Sequence, residues 1–185
     1  MKVIHVTNLY PSKELPDYGI FVKEQIKHLS EVESLDIQIE IIDVKNKGLM
    51  EYFRVAKKIF TISKDFDIIH SHHVFSGFVA LFSSRRTKKV VSFLSSGSDI
   101  EGRLKFFGPL IFFPVVIFSD ILITKKPRKN ILGKVFNYIP NGVDTEMFKY
   151  RSKIDARNKL NLPLNKKIFL FASSKDINRH EKRKD

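Results

Sequence analysis

Two histidines in the stretch HSHHVFSG (70–77) have the type and spacing to bind a metal ion. His70 and His72 are two residues apart, and residues two apart on a β-strand share one face of the sheet. Two imidazoles on one face are able to share a metal. No carboxylate partner is evident nearby, so histidines packed at a strand end and hydrogen-bonded to loop backbone are the favoured interpretation. We therefore expect no metal site.

A second group of polar residues lies in FLSSGSDIEG (93–102), which contains Ser96, Gly97 and Asp99. Small residues and one carboxylate after a strand suit the recognition of sugar hydroxyls. The same residues also suit a helix start, with Asp99 as the capping residue. The pattern alone leaves both interpretations open.

A third group is basic and follows the apolar run KKIFLFASS (166–174). Lys175, Arg179 and Lys182 stand here within eight residues, and such a cluster suits a diphosphate. A basic chain terminus without a ligand is an equally good interpretation of this segment.

The loop TNLYPSKELPDYG (7–19) is long, rich in turn-forming residues and ends at Gly19. A glycine there lets backbone approach a ligand at a helix N-terminus, where N–H groups favour an anion. A surface loop with a glycine cap accounts for the same residues. The chain has neither the GxGxxG nor the GxxxxGK[ST] motif, so dinucleotide cofactors and a phosphate-loop ATPase are not supported.

Strands and helices alternate along the chain and position these groups. Apolar and β-branched runs predict strands at 2–6, 37–44, 67–74, 89–94, 120–124 and 135–139. Helical spacing predicts helices at 19–32, 49–64 and 75–84, with Leu49, Phe53, Ala56 and Phe60 on one face of the second. This alternation predicts an α/β fold with a doubly wound, Rossmann-like parallel sheet.

The net charge of +13 is concentrated in the last third of the chain. From Lys125 onward there are 17 basic and 6 acidic residues, net +11, against 16 and 14 before it, net +2. A basic region suits phosphate-bearing partners, although a solvated lysine-rich surface accounts for many of these charges as well. Nucleic acid is disfavoured as a partner because the basic tail has few interleaved aromatics and no recognised motif.

Cysteine is absent, which suits a reducing compartment and excludes disulfides and thiolate metal sites. The longest apolar run, 106–118, has 13 residues with one Gly and two Pro, shorter than the roughly 20 needed to span a bilayer. We therefore expect neither a signal peptide nor a transmembrane helix.

The stretch IPNGVDTEMFK (139–149) predicts the exit from the first domain. Asn141 and Gly142 both tolerate positive φ and redirect the chain, and Asp144 suits a helix cap. A basic helix is expected at 150–163 and a fresh buried strand at 166–174. The expected organisation is therefore a first domain at 1–149, a connecting segment at 150–165, and the start of a second α/β domain at 166–185 that stops soon after it begins.

Several motifs, in order, resemble one family. These are NLYPS…DYGIFVKEQIKHL, DIIHSHHVFSGFVA, KVVSFLSSGSDIEG, YIPNGVDTEMFK, and ARNKLNLP followed by a strand ending near EKR. The chain resembles the amino-terminal domain of the retaining, nucleotide-sugar-dependent glycosyltransferases of the GT-B fold, family 4. The resemblance covers nearly the whole chain, and IPNGVD followed by Phe is its most specific motif.

The resemblance implies a two-domain enzyme with its substrates in a cleft. The amino-terminal domain holds most of the acceptor and the carboxyl-terminal domain most of the nucleotide sugar. Gly19 would border the sugar and diphosphate, and Lys175 and Lys182, with Arg179 nearby, would neutralise the diphosphate leaving group. His72, Ser96, Gly97 and Asp99 would face the acceptor or sugar. Catalytic residues are not identified, and no cofactor or metal is implied beyond the nucleotide-sugar substrate.

The chain departs from the family pattern at three points. Ser96 stands where the family often has a histidine that contacts the donor sugar, and Lys175 stands where arginine is usual. The glutamate-bearing donor motif of the second domain is not in the chain. The chain is thus expected to be a truncated reading frame, one half of a split enzyme whose second chain supplies the donor-binding domain, or an excised fragment.

The resemblance therefore implies a glycosyltransferase acting on a glycolipid or polysaccharide acceptor in cell-surface glycan synthesis, in the cytoplasm. The alternative is a truncated remnant or binding domain without transferase activity. Several Phe beside Arg103 and Lys105 in RLKFFGPLIFFPVVIF (103–118) predict a peripheral contact with anionic membranes. Packing of the same Phe against the sheet is the competing interpretation.

Overall fold

The computed structural model describes residues 1–94 and 108–170. The chain divides into two compact units, Met1–Asn141 and Gly142–Asp185, and the division falls at the Asn-Gly pair. The first unit contains every strand of the sheet and both hydrophobic clusters described below.

A six-stranded sheet with every strand parallel forms the centre of the first unit. Its order is β2-β1-β3-β4-β5-β6. The strands are β1 Lys2–Thr7, β2 Asp36–Ile41, β3 Ile68–His72, β4 Lys88–Phe93, β5 Ile121–Thr124 and β6 Phe136–Tyr138. The predicted α/β class and Rossmann-like parallel sheet are confirmed, with strand bounds within a few residues of those predicted.

Helices connect the strands from β1 to β5, and a loop without a helix connects β5 to β6. They are α1 Ile20–Ser30, α2 Val44–Lys47, α3 Met50–Ile62, α4 Val74–Ala80, α5 Gly108–Phe118 and, in the second unit, α6 Lys153–Lys159; a 3₁₀ turn at Ser63–Asp65 follows α3. The chain moves one way from β1 to β2 and the other way from β2 to β3. Right-handed crossovers then put α1 on one face of the sheet and α3, α4 and α5 on the other.

The face under α3, α4 and α5 holds the hydrophobic core. Side chains of β1, β3 and both helices α3 and α4 form one cluster: Ile4, Val6, Ile42, Val55, Ile59, Ile69, Val79 and Ala80. A second cluster joins β4, β5, β6 and α5: Val74, Val91, Phe93, Phe112, Val115, Val116, Leu122 and Phe136. Because side chains alternate along a strand, His5 and Thr7 point to the opposite face from Ile4 and Val6.

The apolar face that the sequence indicates for α3 is not the face that packs on the sheet. Leu49, Phe53 and Phe60 are exposed, the two Phe by 70% and 73%, and only Ala56 packs partly against the core. Val55 and Ile59 are fully buried instead. Both stripes are apolar and spaced like a helix face, and the smaller β-branched stripe fits against Ile4, Val6 and Ile69 on the sheet.

The second unit contains α6 and no strand among its described residues. Ser152 caps the helix, its Oγ accepting a hydrogen bond from the Asp155 backbone N–H at 3.1 Å. The Arg157 side chain donates to the backbone carbonyls of Pro163, Leu164 and Lys166. The helix predicted at 150–163 is therefore present but shorter.

The strand predicted at 166–174 is wrong for residues 166–170, which form no strand and pair with none. Phe169 and Leu170 are 93% and 88% exposed. An isolated strand leaves its backbone groups unpaired, and the described part of this unit offers no neighbouring strand to pair with. Residues 171–174 lie outside the described part.

Within the described ranges, no helix combines the length and apolar character needed to cross a bilayer.

Candidate functional site

The carboxyl ends of β1, β3, β4 and β5 meet at one edge of the sheet, because the strands are parallel. These strands end at Thr7, His72, Phe93 and Thr124. Ligands of open α/β sheets bind beyond this edge, so the loops here form the candidate site.

The loop after β1 is held in place by hydrogen bonds at its start. The Thr7 hydroxyl donates to the Leu9 carbonyl at 3.1 Å and accepts from the Leu9 N–H at 3.0 Å. The Asn8 amide donates to the Tyr52 hydroxyl at 3.2 Å and its oxygen accepts from the Ser76 hydroxyl at 3.3 Å. Asn8 thereby connects the loop to α3 and α4.

Tyr52 is the α3 partner of this loop and lies largely inside the protein. Its ring packs near Phe75 with centroids 5.8 Å apart. Burial raises the pKa of its hydroxyl to about 12. The hydroxyl is therefore neutral at physiological pH and remains a hydrogen-bonding group for Asn8.

Gly19 closes the loop at the first residue before α1. Its φ of 70° is in the left-handed region, and a Cβ built on it would lie 2.4 Å from the Leu9 carbonyl carbon and oxygen. Only glycine fits both the conformation and the close approach. The carbonyl of Gly19 accepts the Val22 N–H at 2.9 Å, so α1 starts here with no side-chain cap. The close approach here is to the Leu9 backbone, and the predicted approach of a ligand at Gly19 stays a prediction.

His72 lies inside the protein beside two other histidines. His5, His70 and His72 are all buried, and their nearest ligand atoms all lie within 4.8 Å of one another. His5 Nδ1 is 3.0 Å from His72 Nε2, and His70 Nε2 is 2.8 Å from the Ser92 hydroxyl. The cluster arises because His5 pairs in register with His70, which puts all three on one face of the sheet.

Burial keeps the three histidines neutral. It lowers the pKa of His5 to about 4 and that of His72 to about 3. The pKa of His70 is also lowered well below its ordinary value, first by burial and then by the neighbouring histidines and Lys125. At physiological pH each ring therefore keeps a lone pair on one nitrogen and a proton on the other.

Sequence reasoning missed His5 and Lys125. His5 is hidden within the apolar run KVIHV, and only the register of β1 against β3 reveals its partners. Lys125 directly follows β5 at the carboxyl edge, is half-buried, and has its pKa lowered by burial. In the sequence, the feature that points to Lys125 is its position as a cation immediately after a predicted strand.

His73 and Gly77 account for the rest of the HSHHVFSG stretch. His73 has a positive φ of 88° at the turn into α4, and its N–H donates to the Ser92 carbonyl at 2.9 Å. A Cβ on Gly77 would lie 3.0 Å from side-chain carbons of both Val91 and Val115. Gly77 therefore lets α4 pack closely against β4 and α5.

The other predicted site residues lie outside the described ranges. These are Ser96, Gly97 and Asp99 in the loop after β4, and Lys175, Arg179 and Lys182 near the end of the chain. Their predicted roles stay predictions, as does sugar binding by the buried His72.

Protein-family models give no match to this chain, and a search of curated proteins likewise gives none. The fold class is therefore established by the structure alone.

Proposed function

We propose that this chain is the acceptor-side domain of a retaining glycosyltransferase. The enzyme transfers a sugar from a nucleotide sugar to a glycolipid or polysaccharide acceptor in cell-surface glycan synthesis. The observation that carries the proposal is the loop after β1. This loop is fastened by Thr7 and Asn8 and closes at Gly19, where only glycine fits, at the start of α1 on the carboxyl edge of a Rossmann-like sheet.

The chemistry of the transfer accounts for this arrangement. Breaking the bond between sugar and diphosphate builds negative charge on the leaving group, and fixed N–H groups and cations stabilise that charge. The N-terminus of α1 presents backbone N–H groups next to Gly19. Lys175, Arg179 and Lys182 supply cations, and a second domain, in the same chain or in another, supplies most of the nucleotide pocket.

The proposed acceptor also determines where in the cell the protein acts. Glycolipid acceptors lie in membranes, and nucleotide sugars are water-soluble. The protein then works in the cytoplasm, at the inner face of the membrane, with an anionic lipid surface as a further partner.

Binding and turnover are tested separately. Saturation-transfer NMR on the 185-residue chain should show contact with a membrane lipid extract and weak contact with a panel of nucleotide sugars. Release of nucleoside diphosphate from the chain alone should be undetectable. Joining the chain to the donor-binding domain of a family 4 enzyme, in cis or as a second chain, should give turnover. Robust turnover by residues 1–185 alone contradicts the two-domain mechanism.

A matched pair of variants tests the leaving-group cations in the joined enzyme. Lys175→Met should lower kcat by about 10²–10³, the usual effect of losing one group that stabilises developing charge. Lys184→Met, from the same basic segment, should leave kcat unchanged. Equal effects of the two substitutions contradict the assigned role of Lys175.

One alternative is a binding domain without transferase activity, and Ser96 favours it because serine offers no imidazole where the family often has one. Acceptor binding without turnover in the joined enzyme supports this alternative.

A further inference from the structure

Three neutral imidazoles converge in the interior of the first unit. They come from two adjacent strands: His5 on β1, and His70 and His72 on β3. The ring centroids of His70 and His72 are 4.4 Å apart. The ring centroid of His5 is 5.0 Å from that of His70 and 5.3 Å from that of His72. Strands are rigid supports, and sites built on them hold their side chains more accurately than sites built on loops.

The polar atoms of this cluster are incompletely paired. His5 Nε2 and His72 Nδ1 are buried and have no hydrogen-bond partner within the described residues. The His5–His72 contact uses only one nitrogen of each ring, so every tautomer leaves a polar nitrogen unsatisfied. A buried polar atom without a partner raises the free energy of the folded state, so a cluster that keeps two of them calls for an explanation beyond packing.

We propose that His5, His70 and His72 bind one divalent transition-metal ion, with Zn²⁺ as the best match. Three imidazoles and an open fourth position are an established ligand set for zinc. The absence of Cys from the chain leaves histidine as the strongest zinc ligand available to it. The proposal replaces the expectation of no metal, which considered only the two histidines of β3.

The distances require a modest adjustment of the side chains. Zn–N bonds of about 2.0–2.1 Å in a tetrahedron separate the ligand nitrogens by about 3.3 Å. His5 Nδ1 and His72 Nε2 are already 3.0 Å apart. The ligand atoms all lie within 4.8 Å, so the widest separation has to shorten by at most about 1.5 Å, the difference between 4.8 and 3.3 Å. Rotation about side-chain torsions provides a change of this size.

Ser92 supplies support from the neighbouring strand β4. Metal-binding histidines usually hydrogen-bond through the ring nitrogen that does not bind the metal, and this fixes the ring orientation. His70 Nε2 lies 2.8 Å from the Ser92 hydroxyl, a contact of this orienting kind.

Lys125 opposes cation binding at the cluster, because its positive charge acts on both His70 and His72. The three imidazole ligands therefore have to outweigh one nearby positive charge.

Cobalt titration of the full 185-residue chain tests the proposal. After removal of bound metal with a chelator, Co²⁺ should bind at one equivalent and give visible d–d absorption bands that Zn²⁺ abolishes. His5→Phe should weaken Co²⁺ binding by more than about 100-fold, beyond the 10–100-fold that loss of an outer-shell partner typically causes. The exposed His28 on α1 provides the control, and His28→Gln should bind like the wild type.

Two results would overturn the proposal. One is binding of less than about a tenth of an equivalent by the wild type; the other is equal binding by wild type and His5→Phe. If His5→Phe does not fold, X-ray absorption at the zinc edge of the wild-type protein decides the question. A coordination shell with three imidazoles supports the site, and a shell dominated by oxygen ligands rejects it.

Discussion

At the residue scale, the carboxyl edge of the sheet is marked by backbone that most side chains do not tolerate. Gly19 adopts the left-handed region before α1, and His73 has a positive φ of 88° before α4. A positive φ is uncommon outside glycine, and such residues concentrate at functional sites. Gly19 and His73 both lie on the edge where ligands of open α/β sheets bind. Their position therefore supports a ligand site at this edge without appeal to the family resemblance.

Substitution of Gly19 tests the close approach in this loop. Gly19→Ala adds a Cβ 2.4 Å from the Leu9 carbonyl atoms in a left-handed conformation. We expect the free energy of unfolding to fall by about 3 kcal/mol, from backbone strain and overpacking together. Urea denaturation followed by circular dichroism measures the change.

Gly133→Ala is the matched control for Gly19→Ala. Gly133 has nearly the same φ, 74°, but nothing lies within 4 Å of its added Cβ. Gly133→Ala should therefore lower the free energy of unfolding through backbone strain alone, by about 1–2 kcal/mol. Equal losses for the two variants would show that contact with Leu9 is unimportant.

The sequence reveals individual site residues unevenly. Gly19 is recognisable because a glycine between a long loop and an amphipathic helix is typical of backbone with a positive φ at a helix start. His5 is not, because a histidine within an apolar strand gains its meaning from the neighbouring strand. The pairing of β1 with β3 joins residues more than 60 positions apart, and local patterns do not encode such register.

At the element scale, α3 and α5 carry apolar residues on more than one face. α3 buries Val55 and Ile59 and exposes Phe53 and Phe60. Periodicity predicts α3 as a helix, but it does not determine which stripe faces the sheet when two stripes are apolar. Packing against the β-branched residues of β1 and β3 decides, and that information lies outside the helix.

α5 provides a test of membrane contact. Phe112, Val115 and Val116 pack on the sheet, while Leu110 and Phe118 are 69% and 65% exposed. We predict binding to anionic vesicles through this exposed side, so Leu110→Ser with Phe118→Ser should lower the partition constant about tenfold or more. Co-sedimentation with phosphatidylglycerol-containing liposomes at low salt measures the binding.

A variant of α3 is the matched control for the membrane test. Phe53→Ser with Phe60→Ser removes two apolar side chains of similar exposure from a different helix, α3. It should bind vesicles like the wild type. Failure of the wild-type protein to bind at low salt, or equal losses for both variants, rejects contact through α5.

At the scale of the whole molecule, stability is concentrated in the first unit. Both hydrophobic clusters and all six strands lie within Met1–Asn141. Among residues 142–170, which the structure describes in the second unit, none is buried. We therefore predict that a fragment of residues 1–141 folds alone, with a melting temperature within about 5 °C of that of the full chain.

Thermal circular dichroism and the dispersion of amide NMR signals measure folding of the fragment. Residues 142–185 expressed separately should show no cooperative transition and serve as the comparison. A fragment 1–141 without dispersed amide signals would mean that the second unit is needed for the fold.

The strand order also governs what happens while the chain is being synthesised. β1 is synthesised before both of its partners, β2 and β3, which end at Ile41 and His72. At about 5–20 residues per second, synthesis of the 65 residues from 8 to 72 takes roughly 3–13 s. During that interval β1 has at most β2 to pair with, so we expect Ile4 and Val6 to stay exposed until β3 is made. Once β3 has paired, β4, β5 and β6 each add beside the strand made before, and the newest edge is covered soon after it forms.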